Sequence, residues 1–210
     1  MSSPIPVNPA VITCGDQKSA AAIAEMLETR SREYLQHCLK TSPNLDRHTV
    51  WSRLYAVTQR LKEAVLSGGS ESVADAVIEI GSNLLGCEEM AVVALPGIGS
   101  PPSIISSVGL TAVSRQTLKT NGSAIAKEIR RGQVRIVDKR LPGDEFLASV
   151  GITALVPLAQ GHIAEGAIVF FSLLPQRQGF DSRDREILGL LAAYGPSLFN
   201  LHTGAGSARR

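Results

Sequence analysis

The sequence predicts an α+β fold in which helices come first, strands follow and a helix closes the chain. Three observations carry this. Residues 16 to 85 show helical periodicity broken only by short Pro, Ser and Gly links. From Met90 onward the apolar residues gather instead into short, β-branched runs. Thr153–Leu158 and Ala164–Leu173 then form two such runs joined by Gln160-Gly161-His162, a hairpin signal. Asp181 and Ser182 follow, offering side-chain oxygens to the free N–H groups of a last helix.

In chain order, Met1–Gly15 holds three prolines and reads as a loose tail. Asp16–Lys40 lacks Gly and Pro and is rich in Ala, Glu, Leu and Arg, which predicts a helix. Its apolar side runs through Ile23, Leu27, Tyr34, Leu35, Cys38 and Leu39, and Pro43 stops it. A second helix is predicted from Asp46 to Leu66, with Val50, Leu54, Val57, Leu61 and Ala64 at heptad steps. Gly68-Gly69 breaks it, and Ser70 caps a third helix that buries Val73, Val77, Ile80 and Leu84 and stops at Gly86.

Met90–Leu95, Ser103–Val108 and Val134–Asp138 are the first three predicted strands. Leu110–Asn121 has no decisive period. Ser123–Arg131 predicts a short helix closed by Gly132, and Asp144–Val150 one more helical turn. The last helix carries Ile187, Leu191, Tyr194, Leu198 and Leu201 on one stripe, with a kink expected at Gly195-Pro196. The organisation that follows is a tail and helical extension at 1–45, one domain at 46–203 and a disordered C-terminal tail at 204–210.

Composition excludes several function classes. A net charge of +2 over 210 residues lacks the concentrated basic field of a nucleic-acid binder. Apolar runs fall short of the roughly 20 residues a membrane helix needs. Met1–Cys14 has no basic start and no long apolar stretch, so a signal peptide is not expected. Cys14, Cys38 and Cys87 have no metal-ligand spacing and read as reduced thiols of a cytoplasmic protein. His37, His48, His162 and His202 are likewise read as solvated, with neither metal nor cofactor expected.

The order "VPL", hairpin glycine, "F-S" and Phe180-x-x-x-Asp184 before a final helix resembles the C-terminal half of a GAF domain. The segment "GSAIAKEIRRGQVRIVDK" is similar to that family's middle helix-turn-strand, and the resemblance covers Asp46–Leu201. It implies a central antiparallel sheet of five to six strands. The first, second and last helices would lie on one face, and residues 110–150 would cover a pocket on the other. The pocket-facing candidates are Ile125, Arg135, Ile136, Asp138, Phe146, Ile152 and Leu155. Lys127, Arg130, Arg131, Arg135, Lys139 and Arg140 would ring its rim, where guanidinium groups suit a carboxylate or phosphate.

Within the family, cyclic-nucleotide binders carry an Asn-Lys pair upstream of Phe-x-x-x-Asp-Glu. Here Ser172-Leu173-Leu174 stands upstream and Arg185 replaces the Glu, so a cyclic nucleotide is not the expected ligand. Phe180 and Asp184 are instead read as a core anchor and a helix-start carboxylate. No cysteine follows Cys87, which excludes covalent bilin attachment. The reading is a non-enzymatic signalling or regulatory domain with no catalytic residues. It forms a homodimer through Val50, Leu54, Val57 and Leu61 with Ile187, Leu191, Tyr194 and Leu198. It binds a small molecule and regulates a bacterial signalling partner. Two alternatives stay open: a small-molecule-modifying enzyme on the same fold, and a ligand-free scaffold.

Overall fold

The computed structural model describes residues 17–41, 47–67, 70–97, 100–137, 143–160 and 163–193. Helices α1 (Gln17–Thr41), α2 (Arg47–Ser67) and α3 (Ser70–Leu84) lead into strand β1 (Cys87–Ala94). Gly86 makes that corner at φ +64°, where a side chain would be strained. The chain continues through β2 (Ser103–Val108), α4 (Ala112–Thr120), α5 (Gly122–Arg130), β3 (Arg135–Ile136), α6 (Glu145–Ser149), β4 (Ala154–Gln160) and β5 (Ile163–Leu173). The last helix, α7, is described over 182–193.

The strands form one five-stranded sheet in the order β2-β1-β5-β4-β3, antiparallel throughout. Side chains alternate across it, so the two faces build two cores. Met90, Val92, Ala154, Val156, Ile168 and Phe170 join the first core with residues of α1, α2, α3 and α7. Ala91, Val93, Leu155, Ala167, Val169 and Phe171 join the second with Leu118, Ile125, Ile129 and Leu147 from the short helices. Burial on both faces is why β1, β4 and β5 read as nearly continuous apolar runs. Gly166, within β5, allows close approach of its neighbour: a Cβ there would meet the Val93 carbonyl oxygen at 2.4 Å.

The helical layer is tied together by side chains. Ile23 and Leu27 of α1 lie in the same cluster as Leu54 and Val77. The buried Thr58 hydroxyl donates to Ser31 Oγ at 2.9 Å, and Lys62 pairs with Glu28 at 2.8 Å. β1 starts three residues earlier than its apolar run, because Cys87 and Glu89 still pair with β5. The segment without a decisive period folds as α4. Thr111 caps it by accepting the Ser114 N–H at 3.2 Å, while only Ser114 and Leu118 are buried.

Candidate functional site

The face expected to hold a pocket is filled by the chain itself. Ile125, Ile152 and Leu155 are buried to within 1% of completely, all in the second core. Phe146 is half-buried against that core. Ile125, Ile152 and Leu155 have almost no surface left to offer a ligand, which corrects their reading as ligand contacts, while Phe146 keeps part of its surface. Ile136 packs against the first core, not the second. Asp138 lies outside the described residues.

The basic segment is also engaged within the chain. Arg135 pairs with Asp144, donates to the Gly143 carbonyl at 2.8 Å and lies 3.8 Å from Glu128. Arg131 pairs with Glu128 at 2.6 Å, and Arg130 donates to the Gly97 carbonyl at 2.7 Å. Lys127 is exposed; Lys139 and Arg140 lie outside the described residues. Arg135 thus braces the start of α6.

The expected dimer seam is spent in the same way. Leu54, Val57, Leu61, Ile187 and Leu191 are each at most 1% exposed within a single chain. A side chain with no accessible surface has none to give a second copy, so these residues are core and not interface. The Val50 side chain, Tyr194 and Leu198 lie outside the described residues, as does the Gly195-Pro196 kink. What α2 leaves outside is its other face, with Trp51, Tyr55 and Leu66 about half exposed.

The richest polar arrangement centres on Asp184, in the first turn of α7. Its side chain is fully buried, yet it takes Arg53 of α2 at 3.1 Å and Arg177 from the β5–α7 loop. It also accepts the Asp181 N–H at 2.9 Å, while Asp181 Oδ1 accepts the N–H groups of Asp184 and Arg183 at 2.9 and 2.8 Å. This is a reciprocal capping box closed by two aspartates. Burial pushes the Asp181 carboxyl up, but those two N–H bonds and the charges of Arg53 and Arg177 outweigh it, so the net shift is downward. Arg53 also donates to the Leu84 carbonyl, so one guanidinium joins the end of α3 to the start of α7. Phe180 packs edge-on against Phe170, ring centroids 5.5 Å apart. Phe180 and Asp184 are therefore the anchor and the helix-start carboxylate that the sequence suggests. Nearby, Cys87 is buried, and burial, reinforced by Asp184 and opposed by Arg177, pushes its thiol up to about 12.

Beside this hub a cleft of about 360 Å³ opens at the end of the sheet, walled by Ile136, Thr153, Ser172, Leu173, Arg177 and Phe180 among others. Of these, only Ile136 was a sequence candidate. Arg177, a lone cation three residues before Phe180, was missed. Among the described residues no group of three or more His, Cys, Asp or Glu is placed to hold a metal. No helix among them is long and apolar enough to cross a membrane.

No protein-family model matches the chain. No curated protein matches it in sequence. Solved structures do. The GAF domain of an Acinetobacter phosphoenolpyruvate-protein phosphotransferase is 14% identical, with 76% of this chain and 98% of that one covered at a TM-score of 0.50. A methyl-accepting chemotaxis protein is 16% identical over 68% of this chain and 94% of its own, at 0.49. The cyanobacteriochrome TePixJ GAF domain is 14% identical over 64% and 92%, at 0.48. At such identities the likeness speaks for architecture, and the Acinetobacter domain carries it: the chain has a GAF-type fold.

Proposed function

We propose that this chain is a non-enzymatic cytoplasmic regulatory domain that dimerises through its helical layer, binds a small molecule and acts on a bacterial signalling partner. The fold supports the reading, since the GAF domain it matches at a TM-score of 0.50 is itself part of a phosphotransferase protein. One observation carries the dimer. Trp51 and Tyr55 stack nearly parallel, centroids 5.1 Å apart, on a helix face that remains half exposed while the opposite face is fully buried. Leu66 extends that face toward the other end of α2, with the half-buried Gln59 and Lys62 between.

The occupant we assign is a second copy. In an antiparallel pairing of two α2 helices about a two-fold axis, Trp51 and Tyr55 of one copy meet Leu66 of the other, and the contact is self-complementary. Aromatic residues of this kind dominate binding energy at interfaces. Light scattering on the full chain tests it. A dimer at micromolar concentration is expected, converted to monomer by Trp51→Ser with Tyr55→Ser at unchanged circular dichroism. A wild-type monomer, or a dimer indifferent to the double substitution, overturns it.

A further inference from the structure

Strand β5 outruns its neighbour. Pairing with β4 ends where Ala154 faces Phe170, while β5 continues to Leu173 beside β1 alone. Register slips here as well, from Met90 opposite Phe170 to Glu89 opposite Ser172. Bulges of this sort concentrate where a strand end is re-aimed for a purpose other than pairing. Phe171, Ser172 and Leu173 thus form an overhang with no strand on the β4 side among the described residues. The loop Arg177–Phe180 faces it, and the cleft lies between.

Two donors at this cleft are not fully spent. Ser172 Oγ is buried and has no hydrogen-bond partner, a state that costs free energy unless something fills it. Arg177 makes both of its bonds through Nη2, to Asp184 and to the Gly179 carbonyl at 3.5 Å. Its Nε and Nη1 take no partner among the described residues. The rest of the wall is mixed: Ile136, Val137, Phe171, Leu173 and Phe180 are apolar, and Thr153, Gln178 and Gly179 add polar surface. The volume sits at the small end of ligand sites, which run from about 300 to 1,000 Å³.

We propose that this cleft binds a small organic acid, a carboxylate on a compact apolar body. The carboxylate accepts from Ser172 Oγ and Arg177, and the body lies against Ile136, Leu173 and Phe180. A cation is disfavoured by Arg177, and a purely apolar molecule leaves Ser172 unmatched. The site gives the small-molecule part of the regulatory reading, on which it rests, a place and a chemistry. It also supplies a route outward: Arg177 is bonded to Asp184, which Arg53 ties to α2. An acid that engages Arg177 therefore pulls on the joint between α7 and the helix carrying Trp51.

Calorimetric titration of the full chain with phenylacetate and isovalerate, against phenylacetamide and isovaleramide, tests this. At least one acid is expected to saturate a single site and its amide to bind at least about tenfold more weakly, as loss of a charge-assisted hydrogen bond requires. Ser172→Ala, which leaves the Asp184 pairs intact, is expected to weaken the acid by about tenfold while the melting temperature of the ligand-free chain stays the same or rises. No saturable heat from either acid overturns the proposal. So does equal binding of acid and amide, or wild-type affinity in Ser172→Ala. The dimer measurement is independent: a monomer that binds the acid sinks the regulatory reading alone, and a dimer indifferent to it sinks the site alone.

Discussion

Replacing Asp184 with alanine tests whether the hub holds the fold together. The carboxylate is fully buried and meets Arg53 at 3.1 Å and Arg177. Removing one member of a buried ion pair costs about 3–5 kcal/mol, because the partner charge stays behind unpaired. Here the two guanidinium groups keep 21% and 26% of their side-chain surface, so water screens part of that penalty and about 2 kcal/mol remains. Loss of the bond to the Asp181 N–H adds about 1 kcal/mol at the helix start. The sum is about 3 kcal/mol. With a urea m-value of about 2 kcal/mol/M, the unfolding midpoint followed by circular dichroism should fall by about 1.5 M. Asp184→Asn, whose amide oxygen still accepts the Asp181 N–H and an arginine donor, should lose about half as much. A midpoint shift below about 0.5 M for the alanine variant would refute the reasoning, since it would mean that both arginines find equal partners in water.

Cys87 should resist alkylation in the native chain at pH 8, as read by site-resolved mass spectrometry. Its thiol is held up to about 12, so between about pH 9 and 12 the unfolded chain ionises it and the folded chain does not, and stability falls by up to about 1.4 kcal/mol per pH unit. Leu54→Glu should leave the chain unfolded by circular dichroism instead of a folded monomer, because Leu54 is 1% exposed and a carboxylate there has no partner. Arg135→Gln should lower stability by about 1.5 kcal/mol, read as a fall in Tm of about 3–6 °C, because its partner Asp144 is 5% exposed. A change within error would return Arg135 to the class of solvated surface charges.

Elements whose boundaries are set by local chemistry were legible. The second strand occupies Ser103–Val108 as expected, between Pro102 and the Gly109 turn at φ +62°. The five strands and their two flanking layers follow the implied GAF-type arrangement. The start of β1 was missed because Cys87-Glu88-Glu89 is polar, and its pairing with β5 depends on residues some eighty positions away. α4 was missed because it buries so little, with Val113 76% exposed. The heptad seam on α2 was read as an interface for a related reason. A stripe at steps of four and three only says that one face must be covered. It does not say whether a second copy, or the chain's own sheet and neighbouring helices, does the covering. Leu54, Val57 and Leu61 went to the latter.

The arginines show why a site is harder to read than a fold. Arg130, Arg131 and Arg135 draw attention because they are dense in sequence, yet each finds a carbonyl or a carboxylate of its own chain. Arg177 stands alone in a Pro-, Gln- and Gly-rich loop and nothing local marks it. Its position matters because β5 extends three residues past its last partner on β4, a mismatch that belongs to the sheet and not to either strand's sequence. Phe180 and Asp184 then fix the loop from the far side, through the ring contact with Phe170 and the bonds at the start of α7. The cleft is thus made by two ordinary packing devices acting on a strand overhang. Enlarging the β4 partner, rather than mutating a polar group, is what would close it. Density of charge along the chain was the wrong guide; a donor that is both buried and unspent after folding is the better one, and Ser172 Oγ is such a group where the basic segment offers none among the described residues.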